Sequence, residues 1–295
     1  RYDKASGEKV PIQPMPGKGE SAYRWNWDAP LLVSSHDAST LYFAANKLFK
    51  SINRGDDWTT ISPDLTAQID RNKLPIMDQI WSIDAVMKNA STTIYGNIIA
   101  LDESPKKKGL LYVGTDDGNV QVSEDDGTTW TKHDVFEGIP KNTRVNMLTA
   151  SIHDEKVVFA AFNAQRQGDF KPYLYLTEDY GKSWKLITNG INEEHFTRVL
   201  RSDKANKNIL YTGTPYQMDR GDIGNVKGFY QLEVDSPVLV ETFIENTQSP
   251  TFVKFDIMNI LELPISEIYK KFSNNFIDSQ TNTSTQKLEN HRNRS

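Results

Sequence analysis

Tyr23-Arg24-Trp25-Asn26-Trp27-Asp28-Ala29-Pro30 places three aromatic rings, a cation and a carboxylate within eight residues. Aromatic rings stack on sugar faces and apolar side chains, while a guanidinium or carboxylate fixes charges and hydroxyls, so Arg24, Trp25, Trp27 and Asp28 are candidate ligand-binding residues. Asp116 and Asp117, before Gly118, add two carboxylates, and Arg166 and Asp169 add opposite charges on the stretch Asn163–Pro172. Two chemistries are open to such a set. One is recognition of a glycan, peptide or protein; the other is glycoside hydrolysis, which needs two carboxylates roughly 5–10 Å apart across a cleft. Each residue also has a plainer use. Arg24 to Asp28 can pack between sheets, Asp116-Asp117 forms turns, and Arg166, Asp169 and Lys171 can solvate a loop. His153 and His195 have no partners at metal-ligand spacing and the chain has no cysteine, so neither a metal nor a cofactor is expected.

The elements that must position these residues are written in a repeat. Ser51-Ile-Asn-Arg-Gly-Asp-Asp-Trp58, Ser123-Glu-Asp-Asp-Gly-Thr-Thr-Trp130 and Thr177-Glu-Asp-Tyr-Gly-Lys-Ser-Trp184 share one frame: hydroxyl, any, Asp or Asn, any, Gly, any, any, Trp. The acidic or amide side chain of Asn53, Asp125 or Asp179 can accept bonds from backbone N–H groups further on, and Gly55, Gly127 or Gly181 supplies a positive φ. The hydroxyl of Ser51, Ser123 or Thr177 bonds locally, and Trp58, Trp130 or Trp184 can fold back over the hairpin and bury its ring. Upstream of the boxes lie four short apolar strands of one design, around Leu41, Leu110, Val157 and Ile209, each after a polar turn. The box starts stand 72 (123 − 51) and 54 (177 − 123) residues apart, a spacing suited to four-stranded propeller blades carrying loop insertions.

The frame resembles the Asp-box, or BNR repeat, of sialidases, xyloglucan-cleaving glycosidases and the sortilin ectodomain. The second and third copies match it fully, and the first has Asn53 where the pattern prefers Asp. The resemblance covers residues 23 to 215 and implies an all-β fold, a partial β-propeller of about four blades of four-stranded antiparallel sheet. It implies that the boxes close the outer hairpins and are structural, and it carries over no catalytic residue. It also implies an exported protein, extracellular or periplasmic, and a longer propeller chain.

At 295 residues the chain can bury a large core. A net charge of −5 gives no electrostatic footprint for nucleic acid, and no apolar run is long enough to span a membrane. Residues 1–22 read as an irregular lead-in with little packing, 23–215 as blades, 216–263 as a degenerate blade or non-propeller strands, and 264–295 as a short helix, over 264–272, and a disordered tail. In a meander blade the boxes fall on one face of the disc. The opposite face then collects Arg24 to Asp28, the insertion 64–93, Asp116, Asp117, Arg166 to Lys171 with Asp169, His195 and Arg220 to Asp222, and the ligand is expected there.

Overall fold

The computed structural model describes residues 1–75, 77–82, 84–86, 96–188, 191, 193, 197, 199–205, 209–212, 228–233, 240–245, 252–256, 264, 266, 267 and 276–280. The chain divides into two compact units, Arg1–Thr212 with Leu232–Glu241, and Gly213–Gln231 with Thr242–Ser295.

The first unit holds three complete blades. Blade 1 is β1 (Leu31–Val33), β2 (Leu41–Ala44), β3 (Leu48–Ser51) and β4 (Thr59–Thr60); blade 2 is β5 (Ile98–Glu103), β6 (Leu111–Thr115), β7 (Val120–Ser123) and β8 (Thr131–His133). Blade 3 is β9 (Arg144–Ala150), β10 (Val158–Asn163), β11 (Tyr173–Thr177) and β12 (Lys185–Leu186). In each, the strands lie side by side in chain order and every neighbouring pair is antiparallel. A fourth repeat begins with β13 (Leu200–Ser202) paired antiparallel to β14 (Ile209–Thr212). Strands β15 (Gly228–Glu233) and β16 (Val240–Glu245) follow. In the second unit β17 (Phe252–Asp256) pairs parallel with β18 (Phe276–Gln280).

The middle strands explain why the sequence shows short apolar runs rather than clean alternation. Strands β6, β7 and β11 are buried at every position, because each blade is covered on both faces by its neighbours. One core lies between blades 1 and 2, with Tyr42, Leu48, Leu65, Ile98, Leu111 and Val113. A second lies between blades 2 and 3 and includes Tyr112, Val122, Phe136, Val145, Phe162 and Tyr175. Gly114 in β6 serves this stacking: a Cβ there would run into Val145 of the next blade and come within 3.1 Å of Ala100. The outermost strands are short and exposed, as β4 and β12 show.

Each box closes the last hairpin of its blade. In the second, the Ser123 hydroxyl donates to Asp125 Oδ1 (2.9 Å) and accepts from Gly127 N (2.8 Å), while Asp125 accepts from Thr129 N (2.8 Å) and the Thr129 hydroxyl (2.6 Å). The Thr129 hydroxyl and then its N–H hold the Asp125 carboxyl below the usual carboxylate range. The third box repeats these bonds with Thr177, Asp179, Gly181 and Ser183. The first runs them with one polarity inverted. Asn53 Oδ1 accepts from Asp57 N (2.9 Å), but Asn53 Nδ2 donates to the Asp57 carboxylate (2.9 Å), where the other boxes have a hydroxyl donating to the carboxylate. Asn53 therefore belongs with Asp57.

Two expectations change and two are refined. Trp58, Trp130 and Trp184 stand at one equivalent place, just before the last strand, but are half-buried rather than enclosed, at the exposed outer edge of their blades. The lead-in is mostly exposed, as expected, but it is tethered: Arg1 and Val10 exchange backbone bonds and Trp58 Nε1 donates to Ile12 O (2.6 Å). Residues 276–280, expected in a disordered tail, form β18, whose Phe276 and Ile277 align with Phe252 and Val253 of β17. Of the helix expected over 264–272, Ser266 and Glu267 are helical and most of the rest lies outside the described residues.

Asn53→Asp sets two carboxylates against each other and is expected to lower stability by about 1 kcal/mol. Adding Asp57→Thr recreates the bonding of the other boxes and is expected to restore the urea midpoint; a double variant no better than the single one contradicts the inverted pairing.

Candidate functional site: the loop face opposite the boxes

The boxes occupy the β3–β4, β7–β8 and β11–β12 turns. The β2–β3, β6–β7 and β10–β11 turns, with the connections between blades, form the other face, as the meander requires. Every expected site residue that the structure describes lies on this side, but they do two different jobs.

Arg24, Asp116 and Asp117 are internal fasteners. Arg24 ties blade 1 to the chain entering blade 2: its guanidinium donates to Asp64 Oδ2 (2.7 Å), Thr66 Oγ1 (3.1 Å) and Gly96 O (3.0 Å), and its N–H donates to Asn46 Oδ1 (3.0 Å). Asp116 is buried and accepts from Gly96 N (3.0 Å) and Asn97 N (2.9 Å). Asp117 is buried and accepts from Thr115 Oγ1 (2.6 Å) and Ala67 N (2.9 Å). Trp25 is half-buried on blade 1, its ring 4.7 Å from Phe43 and 6.0 Å from Phe49. The sequence signal for these fasteners is weak. Asp64 in Ser62-Pro-Asp-Leu-Thr66 reads as a local turn, and it does bond Thr66, yet its other partners, Asn46 and Arg24, lie 18 and 40 residues back.

Trp27, Asp28, Arg166 and Asp169 reach the surface. Trp27 is 98% exposed. Asp28, beside it, pairs with Arg144 Nη2 at 2.5 Å, joining the entry to β1 of blade 1 to the start of β9 of blade 3. Arg166 is exposed in the turn Gln165–Gln167, and Asp169 accepts from Lys171 N (3.0 Å) and the Tyr173 hydroxyl (2.6 Å).

Next to Arg144 opens a cleft of about 730 Å³. Its walls are three loops: Ala67 and Ile69 from the connection after blade 1, Asp117–Asn119 from the β6–β7 turn, and Asp134–Thr143 between blades 2 and 3. Phe136 and Phe162, 4.6 Å apart between ring centres, give it an aromatic floor. Lys132 and Lys141 bring positive charge, and Asp134 is paired with Lys132 at 2.6 Å. Sequence reasoning reached Asp117 but missed Arg144 and the 134–143 loop, whose residues follow no motif. Burial, opposed in part by the Thr115 bond and reinforced by Asp116, pushes the Asp117 carboxyl up to about 6. Among the described residues no group of three or more His, Asp or Glu is arranged to hold a metal. No helix of the described residues is long and apolar enough to cross a membrane.

Repeated four-stranded meanders, stacked face to face and each closed by the same box, are the blades of a β-propeller. No family model matches the chain. Over 139 residues, 45% of its length, it is 30% identical to the vacuolar protein sorting/targeting protein 10 of Laccaria bicolor, and it spans 9% of that protein. Among solved structures it is similar to an ancestral GH74 enzyme (TM-score 0.49, 14% identity, 79% of this chain and 25% of that one). It is likewise similar to the GH74 xyloglucanase from Xanthomonas campestris (TM-score 0.47, 17% identity, 76% and 30%). The boxed blades give the chain the architecture of a BNR-type β-propeller, and the partial likeness to the Laccaria protein supports this.

A carboxyl held near 6 when folded and near 3.8 when unfolded favours folding while protonated, and that contribution is lost as pH rises through about 6. Asp117→Asn removes the ionisation, so its stability relative to the parent is expected to rise between about pH 4 and about pH 6 (the window set by these two values). A stability difference that stays flat across that range in chemical denaturation contradicts the buried, raised carboxyl.

Proposed function

We propose that this chain is a non-catalytic propeller module, part of a longer propeller acting outside the cytosol, that holds a polypeptide ligand on the face opposite the boxes. The observation that carries this reading is the cleft between blades 1, 2 and 3. Its aromatic floor, two lysines and open rim suit a chain offering apolar and acidic side chains, and the Asp28–Arg144 pair and the exposed Trp27 lie on the same loop face. The likeness to a protein named for protein sorting and targeting supports a polypeptide over a glycan. Trp27, Asp28, Arg166 and Asp169 are the expected residues that reach the surface of this face. Arg24, Asp116 and Asp117 act by holding the loops in place.

The alternative is a glycoside hydrolase, sialidase-like or xyloglucanase-like. Its one supporting feature is Asp117, since a carboxyl raised towards neutrality beside a cleft can act as a general acid. Both Asp117 oxygens already accept internal bonds, and Asp134, the other carboxylate of the cleft, is engaged by Lys132. Binding is the better reading.

Peptides selected from a displayed library on the immobilised chain are expected to slow hydrogen exchange over residues 117–119 and 134–143. Trp27→Ala and Lys141→Glu are each expected to weaken them by about tenfold or more, the loss typical of a central contact. Protection confined to the boxes, with both variants binding as the parent does, contradicts the assignment of the face. Reducing sugar released from xyloglucan or from a sialoside, and abolished by Asp117→Asn, establishes the hydrolase instead.

A further inference from the structure

The lead-in repeats the geometry of the boxed hairpins without their sequence. In blade 1, Lys50 pairs with Thr59 across the eight residues of the box, and Ile61 follows two positions later. In the lead-in, Arg1 N donates to Val10 O (2.7 Å) and Val10 N to Arg1 O (2.9 Å); eight residues, Tyr2–Lys9, lie between, and Ile12 follows two positions later. Tyr2 and Lys9 pair as the next rung, and Asp3 N donates to Glu8 O (2.9 Å). Register and length are those of an outer hairpin.

The contacts correspond as well. Lys50 of blade 1 forms an ion pair with Asp126 in the box of blade 2, and Arg1 forms one with Asp56 in the box of blade 1 (2.7 Å). Trp130 Nε1 faces Ile61 O at 3.4 Å, and Trp58 Nε1 donates to Ile12 O at 2.6 Å. The two box glycines share one conformation, φ +89° at Gly127 and +90° at Gly55. A Cβ on Gly127 would stand 3.0 Å from Ile61 Cβ, and one on Gly55 would stand 2.9 Å from Ile12 Cβ. Indole bond and glycine contact thus recur at the same register, and a basic residue just before each hairpin turn reaches an Asp of the next box, the fourth box residue in blade 2 and the sixth in blade 1.

We infer that Arg1–Ile12 is the outer hairpin of a further blade flanking blade 1, and that the face of the first box is a blade-docking surface. The partner this surface takes is a β-hairpin of defined chemistry: a basic residue, an eight-residue turn, and an isoleucine two positions past the returning strand, presenting its carbonyl to the indole. The hairpin lost its box signature because Tyr2 stands where the box has a hydroxyl, Ser6 where it has glycine, and Lys9 where it has tryptophan. Its turn is fixed differently, by Asp3 Oδ1 accepting from Ala5 N (2.8 Å) and Ser6 N (3.0 Å). What survived is the set that meets the next blade.

Hydrogen exchange on the full chain tests this. Ile12→Ala is expected to speed exchange of the amides over 51–58 by about tenfold or more while leaving 123–130 at the parent rate, and Ile61→Ala to do the reverse. Arg1→Glu is expected to speed exchange over 51–58, and the exchanged pair Arg1→Glu with Asp56→Arg to slow it again, a recovery that general loosening of the lead-in does not give. Parent-like exchange over 51–58 in Ile12→Ala, or no recovery in the exchanged pair, overturns the inference.

Discussion

The structure depends on one close approach: the glycine at the fifth position of each box presses its backbone against the blade before it. With φ near +90° and neighbouring atoms within 3 Å of where a Cβ would sit at Gly55, Gly127 and Gly181, these positions admit no other residue without displacement. The hydroxyl at the first position of each box accepts from that glycine N–H and so fixes where it points. The half-buried indole then covers the joint from outside. Because the boxes bring blades together at one end, the middle strands are buried on both faces, and the cores form between blades rather than within them.

That arrangement leaves the other face free of the closing work. There the chain uses charge instead of backbone contact. Asp64 gathers Arg24, Asn46 and Thr66, while Asp116 and Asp117 take up N–H groups of the chain entering blade 2 and of the loop leaving blade 1. Burying such carboxylates is costly unless their oxygens are bonded, and they are. The result is a set of tied-down loops around a cleft with an aromatic floor, a surface whose polar groups are already ordered.

The sequence made this fold legible where one residue type has one physical use. Gly, Asp and Trp at fixed offsets specify a closed hairpin, and the apolar runs around Leu111, Val158 and Ile209 are strands close to where they were expected. The site was less legible because Asp and Arg have many uses. Asp116-Asp117 reads as a turn and is one; that its carboxylates tie loops together depends on residues 19 to 50 positions away. Trp25 and Trp27 are alike in sequence, yet one packs on Phe43 and the other is fully exposed. The tether of the lead-in is not legible because its hairpin is held by backbone bonds and one isoleucine, which leave no hydrophobic period. The strand at Phe276–Gln280 was hidden in a polar tail because its pairing is with residues far back in the chain.

The central claim is that each box holds the preceding blade as well as its own hairpin. A double-mutant cycle of Ile61→Ala and Trp130→Ala tests it most directly, since the two belong to neighbouring blades and pack in one cluster. A shared joint predicts that the second substitution costs less once the first is made, with a coupling energy of about 1–2 kcal/mol from urea unfolding. Stability losses that simply add, to within about 0.3 kcal/mol, contradict it.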